Sequence, residues 1–258
     1  MKIITVINAK GGCGKSTIAM NLASGLARLH GAKTLLIDMD PQAQVTQWLH
    51  AGDGMTEDKT LMAAFTGKQS FKEVVQPTHI ENLSFVASAE GLEGIGRQIT
   101  EHEGYTTMLA RLLADETSPQ FDFVVIDSPN QISPIMENAI FPTDLFIVPF
   151  EGTKAVRSYA NFFKLLLQLR PEEQHEILHV ISNLSRLSGY RKRVLEVMKE
   201  DGLEPARTEI RTCGWIAQVD EHGGSIFDYR PHSKGAEDIQ NLIAEVIERL
   251  QVTEPEIV

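Results

Sequence analysis

Short, continuous apolar runs alternate along this chain with longer segments whose apolar residues recur at helical spacing. The runs are rich in β-branched residues, which is typical of parallel strands that are buried on both faces of a sheet. This pattern predicts an α/β fold: a doubly wound, mainly parallel sheet with helices on both faces and ligands at the carboxyl ends of the strands. The runs lie at residues 3–7, 34–38, 83–87, 121–127, 144–149 and 177–182.

The helical segments carry their apolar residues on one face. In the first of them, apolar residues from Ile18 to Leu29 recur at helical spacing, and Gly31 ends the helix. No segment has the composition of a long linker, so we expect one domain over residues 1–250 and a short acidic tail over residues 251–258. Further helices are predicted at residues 105–114, 156–169 and 236–250.

The composition narrows the class of protein. The 258 residues carry a formal charge of −11, which discourages indiscriminate binding to nucleic acid or anionic lipid, so any DNA contact must come from a local basic patch. The two cysteines, Cys13 and Cys213, provide neither a disulfide framework nor a metal-ligand cluster. Because Met1 leads directly into a strand and no apolar run approaches bilayer length, we expect a cytoplasmic protein without a membrane anchor.

A glycine-rich stretch joins the first strand to the first helix. Glycines let the backbone approach a ligand, so successive N–H groups can converge on phosphate oxygens at a helix N-terminus. Lys15 would supply a positive charge to the β- and γ-phosphates, and the Ser16 hydroxyl would ligate a phosphate-bound Mg²⁺. A flexible turn with a solvated lysine is the alternative, but the flanking strand and helix favour a phosphate-binding loop. The nucleotide would be held by Gly11, Gly12, Cys13, Gly14, Lys15, Ser16 and Thr17.

Three aspartates lie at the ends of predicted strands or just after them and should lie at the same sheet edge as this loop. They are Asp38, Asp40 and Asp127. Carboxylates beside a triphosphate serve a metal ion or the attacking water. Asp127 ends its strand in the manner of a Walker B aspartate, although a lone acid at a strand end is otherwise a turn residue. The Asp40-Pro41 pair is also a good helix N-cap followed by a first-turn proline, and this role is compatible with a catalytic one.

Three motifs resemble the ParA/MinD family of dimeric ATPases. The form Lys-Gly-Gly-x-Gly-Lys-Ser-Thr at residues 10–17 resembles that family's deviant Walker A box. Residues 38–42 are similar to its switch I, and residues 127–130 to its switch II, with Asn130 in place of the second proline. The resemblance implies an α/β P-loop domain with ATP and Mg²⁺ as cofactors.

The resemblance also implies roles for single residues. Lys10 would reach across a nucleotide-sandwich homodimer to the partner's phosphates, and a solvated loop lysine is the alternative. Asp40 would position the attacking water, so that Lys10 and Asp40 join Lys15 as the catalytic residues. Asp38 would lie on the Mg²⁺ side, with Ser16 and Asp127 as the other residues at the metal.

A basic run at residues 186–193 stands out in this acidic chain. Its side chains would project from a helix and could meet DNA phosphates without reading sequence, or they could form a solvated helix start. Because residues 222–238 resemble a ParA stretch, further basic residues of the C-terminal half join the candidates. Asn183, at a predicted strand end, could read an adenine edge or be a turn residue. The DNA-binding candidates are Arg186, Arg191, Lys192, Arg193, Arg211, Arg230 and Lys234.

The resemblance implies a ParA-type ATPase that binds nucleoid DNA non-specifically as an ATP-bound homodimer. It would position or segregate a plasmid, a chromosome or a protein organelle, while a ParB-like or other small adaptor protein stimulates slow hydrolysis. Such a protein is cytoplasmic and nucleoid-associated, and the tail at residues 251–258 lacks the basic amphipathic helix of membrane-anchored MinD relatives. The alternative is a metabolic P-loop enzyme of the dethiobiotin-synthetase-like type, which acts on a small molecule.

Overall fold

Strands and helices alternate through most of the chain in a computed structural model, which describes residues 1–49, 56–89, 92, 94, 99–101, 103–184, 188–215, 218–222 and 224–251. The strands are β1 (Lys2–Val6), β2 (Thr34–Asp38), β3 (Gln76–Pro77), β4 (Leu83–Val86), β5 (Phe123–Asp127), β6 (Leu145–Phe150), β7 (Glu176–Leu184) and β8 (Ile210–Arg211). The helices are α1 (Lys15–His30), α2 (Gln44–Leu49), α3 (Leu61–Phe65), α4 (Phe71–Val74), α5 (Met108–Ala114), α6 (Pro134–Ile140), α7 (Thr153–Leu169), α8 (Ser188–Glu200), α9 (Val219–His222), α10 (Ile226–Tyr229) and α11 (Lys234–Arg249).

The strands form one sheet in the order β3-β4-β2-β5-β1-β6-β7-β8. β3 runs antiparallel to β4, and the other neighbouring strands pair in parallel. The chain leaves β1 towards β2 and β4 on one side, returns to β5 beside β1, and then continues through β6, β7 and β8 on the other side. The directions therefore diverge around β1 and β5, and in such sheets the ligand crevice lies at the carboxyl ends of those strands.

Apolar side chains of the strands alternate between two packed faces. In β2, Leu36 faces the cluster that contains α1 and α11, whereas Leu35 and Ile37 face the cluster that contains α3 to α6. Every residue of β2, β5 and β6 is buried. This burial explains why the strands appear in the sequence as unbroken apolar runs rather than as alternating ones.

Helix α1, which leads away from the glycine-rich loop, is held closely by the C-terminal part of the chain. A side chain at Gly25 would collide with Ile243 of α11 and with Phe227 of α10. The Asn21 Oδ1 atom accepts a hydrogen bond from the Ile226 backbone N–H at 2.7 Å. These contacts fix the axis of the helix whose N-terminus carries the candidate phosphate site.

The predicted fold class is confirmed, and the predicted strands and main helices are present with small shifts at their ends. The chain patterns did not predict β3, β8, α6, α9 or α10, of which the two strands are only two residues long each. The tail lies outside the described residues apart from Gln251. Within the described part of the chain, none of the helices combines the length and the apolar character that crossing a bilayer requires.

Candidate nucleotide-binding site

The glycine-rich loop follows β1 and takes a shape that only glycine adopts readily. Gly12 and Gly14 have φ angles of 75° and 89°, in the left-handed region that strains other residues. Helix α1 begins directly after Gly14, and the Gly14 carbonyl accepts the Ile18 N–H at 2.9 Å. The first N–H groups of a sixteen-residue helix therefore face the loop, where they can donate to phosphate oxygens.

Buried polar residues hold the loop in place from outside its own segment. The Asn8 amide donates to the Pro149 carbonyl at 3.0 Å, and the Ser158 hydroxyl donates to Asn8 Oδ1 at 2.6 Å. From β7, the Ser182 hydroxyl donates to the Cys13 carbonyl at 3.1 Å. Cys13 itself is fully buried, and burial raises the pKa of its thiol, so it packs beneath the loop as a protonated group.

A cavity of about 300 Å³ lies against the loop. The phosphate loop and Asp40 form part of its wall, as the sequence predicts. Ser182 of β7, Ile210 of β8 and residues 212–214 after β8 complete it, and sequence analysis missed that contribution. The lining residues are Gly11, Gly12, Gly14, Lys15, Ser16, Thr17, Ile18, Asp40, Gln42, Gln44, Asn130, Ser182, Ile210, Thr212, Cys213 and Gly214.

Lys15 and Asp127 lie at the inner side of the loop. The Lys15 ammonium is buried and donates to the Lys10 carbonyl at 3.3 Å. Asp127 is fully buried, and neither of its carboxylate oxygens has a hydrogen-bond partner among the described residues. Burial and the nearby charge of Asp38 raise the pKa of Asp127, whereas the Ser16 hydroxyl and the Lys15 charge lower it.

The unpartnered Asp127 oxygens fit a hydrated divalent cation. Buried carboxylates without partners are rare, and Mg²⁺ usually binds through one or two carboxylates together with waters and substrate phosphates. No cluster of three or more His, Cys, Asp or Glu side chains that could enclose a metal occurs in the described ranges. The donor set of Asp127 with Ser16 therefore suits a cation that arrives with a phosphate ligand.

Asp38 is the neighbour of Asp127 in the sheet register and is also fully buried. Its oxygens accept hydrogen bonds from the Thr46 N–H at 2.9 Å, the Thr46 hydroxyl at 2.8 Å and the Asp40 N–H at 3.1 Å. Burial raises the pKa of Asp38 to about 7, and the hydrogen bonds from Thr46 oppose this shift. Asp38 thus anchors the start of α2 and the backbone of Asp40.

Asp40 points into the cavity from the turn after β2. Its Oδ1 atom accepts the Gln42 N–H at 3.0 Å, and its carbonyl accepts the Ser88 hydroxyl at 2.7 Å. The predicted helix N-cap at Asp40 is wrong, because the following residues form a turn and α2 begins only at Gln44. The Asp40 carboxylate has one local hydrogen bond and otherwise faces the cavity.

Lys10 does not line the cavity of its own chain. Its ammonium instead lies 2.7 Å from Glu151 Oε2, at the end of β6, and both side chains are about one-third exposed. The next residue, Gly152, is approached so closely by the phenol of Tyr190 that a side chain at this position would collide with it. Tyr190 belongs to α8, the helix that carries the predicted basic run.

The basic residues of α8 are on the surface. Arg191 is paired with Glu209 at 2.9 Å, which raises the pKa of its guanidinium. Lys192 lies 3.8 Å from Glu196, and Arg193 is exposed. Arg186 lies outside the described residues, as does the side chain of Asn183, whose backbone is the penultimate position of β7.

The other basic candidates lie in β8 or near the residues that follow it. Arg211 pairs with Asp238 at 2.9 Å and with Glu237 at 2.8 Å, and these carboxylates raise the pKa of its guanidinium. Arg230 stacks over the Trp215 ring at 4.0 Å from the centroid, and Lys234 is exposed in the first turn of α11. Arg211 is therefore committed to intramolecular ion pairs, whereas Lys234 presents its charge to solvent.

The chain has relatives among proteins of known role. The family model for the AAA domain matches residues 1–179. The cell division protein PomZ of Myxococcus xanthus is 30% identical over 251 residues, which span 95% of this chain and 77% of PomZ. The chromosome partitioning protein ParA of the same organism is 26% identical over 269 residues, with 96% of this chain and 88% of ParA covered.

Solved structures share the fold. Apo McdA of Cyanothece superposes with a TM-score of 0.82 at 23% identity, over 97% of this chain and 99% of McdA. Cobyrinic acid a,c-diamide synthase of Mycobacterium smegmatis, solved with an ATP analogue and magnesium, superposes equally well at 0.82 with 19% identity, over 98% and 96% of the two chains. At these identities the structural likeness concerns the fold alone, whereas the sequence matches show the family: this chain has an AAA domain and belongs to the ParA family of partition ATPases.

Proposed function

We propose that this chain is an ATP-driven switch of the ParA type. ATP with Mg²⁺ closes a homodimer, the dimer binds DNA without sequence preference, and hydrolysis releases it. The observation that carries the proposal is the position of Lys10, which belongs to the phosphate loop but leaves its own cavity and pairs with Glu151 at the surface. A loop lysine placed in this way is available to the nucleotide of a second copy.

Each residue of the site would have a separate role in phosphoryl transfer. This reaction depends on positioning the phosphates and the water and on neutralising the phosphate charge. The N–H groups around Gly12 and Gly14 and the Lys15 ammonium would hold the β- and γ-phosphates. Ser16 and Asp127 would hold Mg²⁺, which neutralises the charge that develops on the phosphates. Asp38 would keep Asp40 in place through the Asp40 N–H.

Asp40 is the residue we assign to the attacking water. It lines the nucleotide cavity, and its hydrogen bond from the Gln42 N–H fixes its orientation without consuming both oxygens. Asp40→Ala should therefore retain ATP and the dimer while stopping hydrolysis. Asp58→Ala, which removes an exposed acid from the 3₁₀ helix Glu57–Lys59, serves as the matched control.

The DNA contact of the proposed dimer would lie on α8 and the start of α11. Lys192, Arg193 and Lys234 are exposed there, whereas Arg191 and Arg211 would first have to leave their carboxylate partners. Because the whole chain is acidic, a basic surface confined to these elements would give weak, salt-sensitive binding to phosphates. Formation of a dimer would double the number of such contacts.

We further propose that residues 1–250 act as one ATPase domain, since one sheet runs through them. A small adaptor protein, ParB-like or of another type, would stimulate hydrolysis and link the dimer to its cargo, which could be a chromosome, a plasmid or a protein organelle. The protein would then be cytoplasmic and nucleoid-associated. The relatives named for cell division and for chromosome partitioning favour such a positioning role.

The metabolic alternative rests on the likeness to cobyrinic acid a,c-diamide synthase. At 19% identity that likeness concerns the fold. A small-molecule enzyme would need no lysine outside its own cavity and no dimer for turnover. The placement of Lys10 and the 30% identity to PomZ therefore favour the switch.

The test measures mass and DNA binding in the same samples. We expect the Asp40→Ala protein to be a dimer by light scattering with ATP and a monomer with ADP, and to retain DNA only with ATP and at low salt. Asp40→Ala combined with Lys10→Ala should bind ATP but stay monomeric. A protein that stays monomeric with ATP, or that retains DNA equally with ADP, would contradict the switch.

A further inference from the structure

Two cavities meet at the carboxyl edge of the sheet. The nucleotide cavity follows the phosphate loop, and a second cavity of about 310 Å³ lies between the turn after β2 and the segment after β5. Asp40, Gln42 and Asn130 line both. A water that attacks a γ-phosphate must approach from the side away from the β-phosphate, so these three residues stand where such a water would pass.

The Asn130 side-chain amide is directed at the phosphate loop. Its Nδ2 atom lies 3.6 Å from the point that a Cβ atom on Gly11 would occupy. The side chain is half-buried, and within the described ranges it has no hydrogen-bond partner. Gln42, in contrast, is exposed and uses its backbone N–H to fix Asp40.

A primary amide suits the position of Asn130 beside the phosphate loop. A primary amide offers two donors and one acceptor at once and does not change its charge during the reaction. A proline at this position, as in the motif that the sequence resembles, could offer none of these groups. Asn130 therefore adds to this chain a polar group that the resembled motif lacks.

We propose that Asn130 contacts the γ-phosphate and the attacking water, and that it orients that water together with Asp40. The inference rests on the proposed ATPase function and deepens it. In the step concerned, the water oxygen forms a bond to the γ-phosphorus, and the bond between that phosphorus and the β,γ-bridging oxygen breaks. ADP leaves with the bonding electrons, and the proton of the water passes to Asp40 or to the phosphate product.

The Asn130 amide stabilises the transition state of γ-phosphoryl transfer more than it stabilises the bound substrate. Its donors then meet equatorial oxygens that carry spread negative charge, and its carbonyl accepts from the water. The amide should thus matter little for binding ADP. It should matter more for the trigonal-bipyramidal arrangement that ADP with aluminium fluoride imitates.

The test compares Asn130→Ala, Asn130→Asp and Asn130→Pro with the wild type. We expect kcat for ATP hydrolysis to fall on the order of 10²-fold in all three variants, while the ADP affinity stays within about twofold. The affinity for ADP with aluminium fluoride should fall in parallel with kcat. Gln168→Ala is the matched control, because it removes an exposed amide of α7 that lines neither cavity.

The outcomes distinguish the role of Asn130 from the proposed ATPase function on which it rests. A wild-type protein that neither binds nor hydrolyses ATP would overturn both. An active wild type with Asn130→Ala and Asn130→Asp equal to it, in kcat and in aluminium fluoride affinity, would overturn the Asn130 role alone. Retained ADP binding shows that a variant has folded, and a slow Asn130→Asp protein with normal ADP binding supports the role.

Discussion

The Lys10 ammonium and the Glu151 carboxylate lie 2.7 Å apart, although 141 positions separate them in the chain. The pair joins the phosphate loop to the end of β6 at the surface of the protomer. In the proposed dimer Lys10 has to serve the partner's phosphates, so its contact with Glu151 competes with dimer formation. An ion pair of this exposure contributes about 1 kcal/mol at most.

Glu151→Gln should therefore favour the dimer. We expect the ATP-dependent dimer to form at up to about 30-fold lower protein concentration, because two such pairs of at most about 1 kcal/mol each are removed per dimer, with ATP affinity of the monomer unchanged. Sedimentation equilibrium in an Asp40→Ala background measures this. Glu173→Gln removes a partner from another surface pair, with Arg170, and provides the control. A weaker dimer in Glu151→Gln would show that Glu151 supports the interface instead.

Lys15→Ala should abolish nucleotide binding. The Lys15 ammonium is buried at the loop and its charge would face the phosphates, so its removal should weaken ATP binding by at least roughly 10²-fold. Titration with a fluorescent ATP analogue measures the change. Lys33→Ala, a change at the exposed residue before β2, should bind the analogue as the wild type does.

Asp127→Asn should remove the additional thermal stabilisation that Mg²⁺ gives to the ATP-bound protein. The wild-type melting temperature should rise more with ATP and Mg²⁺ than with ATP and a chelator, because a bound cation satisfies the Asp127 oxygens. In Asp127→Asn this difference should largely vanish, as expected from a roughly 10- to 100-fold loss in metal affinity. The nucleotide-free protein should melt no lower than the wild type, because the variant removes a buried charge without a partner. An unchanged metal effect would place the cation elsewhere.

His179 should make folding stability depend on pH between about 5 and 7. Its ring stacks on Phe150 at 5.6 Å between the centroids, its Nε2 atom is buried without a partner among the described residues, and burial lowers its pKa. The unfolded chain therefore binds a proton at a higher pH than the folded chain does. This contribution to stability is complete above the unfolded pKa of about 6.5 and is lost as the pH falls below it.

Urea unfolding of His179→Phe tests this expectation. At pH 7 and above the variant should have a lower free energy of unfolding than the wild type, because the Glu204 carbonyl loses its partner. The informative quantity is the slope with pH, which should be flatter between pH 7 and 5 than in the wild type. Equal slopes would assign the pH dependence to other groups.

Gly152→Ala should disturb α8 without touching the nucleotide cavity. A methyl group at this position meets the Tyr190 phenol, so the side chain that precedes the basic residues has to move. We expect ATP binding within twofold of the wild type and a several-fold change in ATP-dependent DNA affinity, measured by fluorescence anisotropy. Gly189→Ala is the matched control, because a Cβ atom there meets nothing within 4 Å. DNA affinity that is equal in both variants would separate Tyr190 from the DNA surface.

The sequence predicts those parts of the site that are local in the chain. The phosphate loop, Asp38 and Asp127 are each read from a few residues beside a strong strand signal, and Asp38 and Asp127 indeed occupy paired register positions. The helix cap at Asp40 failed as a prediction because the turn that contains Ala43, at a φ of 53°, delays α2 to Gln44.

The remaining parts come from distant segments with weak local signals. Ser182 contacts the loop across 169 positions, and Thr212 and Cys213 follow the two-residue strand β8, which is too short to show periodicity. The partner of Lys10 could not be predicted either, because Glu151 follows its strand as an ordinary surface acid would. Such contacts depend on the strand order, which local patterns do not encode.

The close packing of Ile243 and Phe227 against Gly25 has a consequence for folding during synthesis. Ile243 and Phe227 lie against Gly25, so the helix that supports the phosphate loop is covered by α11, which is synthesised long after α1. A nascent chain that has reached only β6 exposes this apolar side of α1 to water or to a chaperone. The ability to bind a nucleotide should consequently arise only after α11 has left the ribosome and packed against α1.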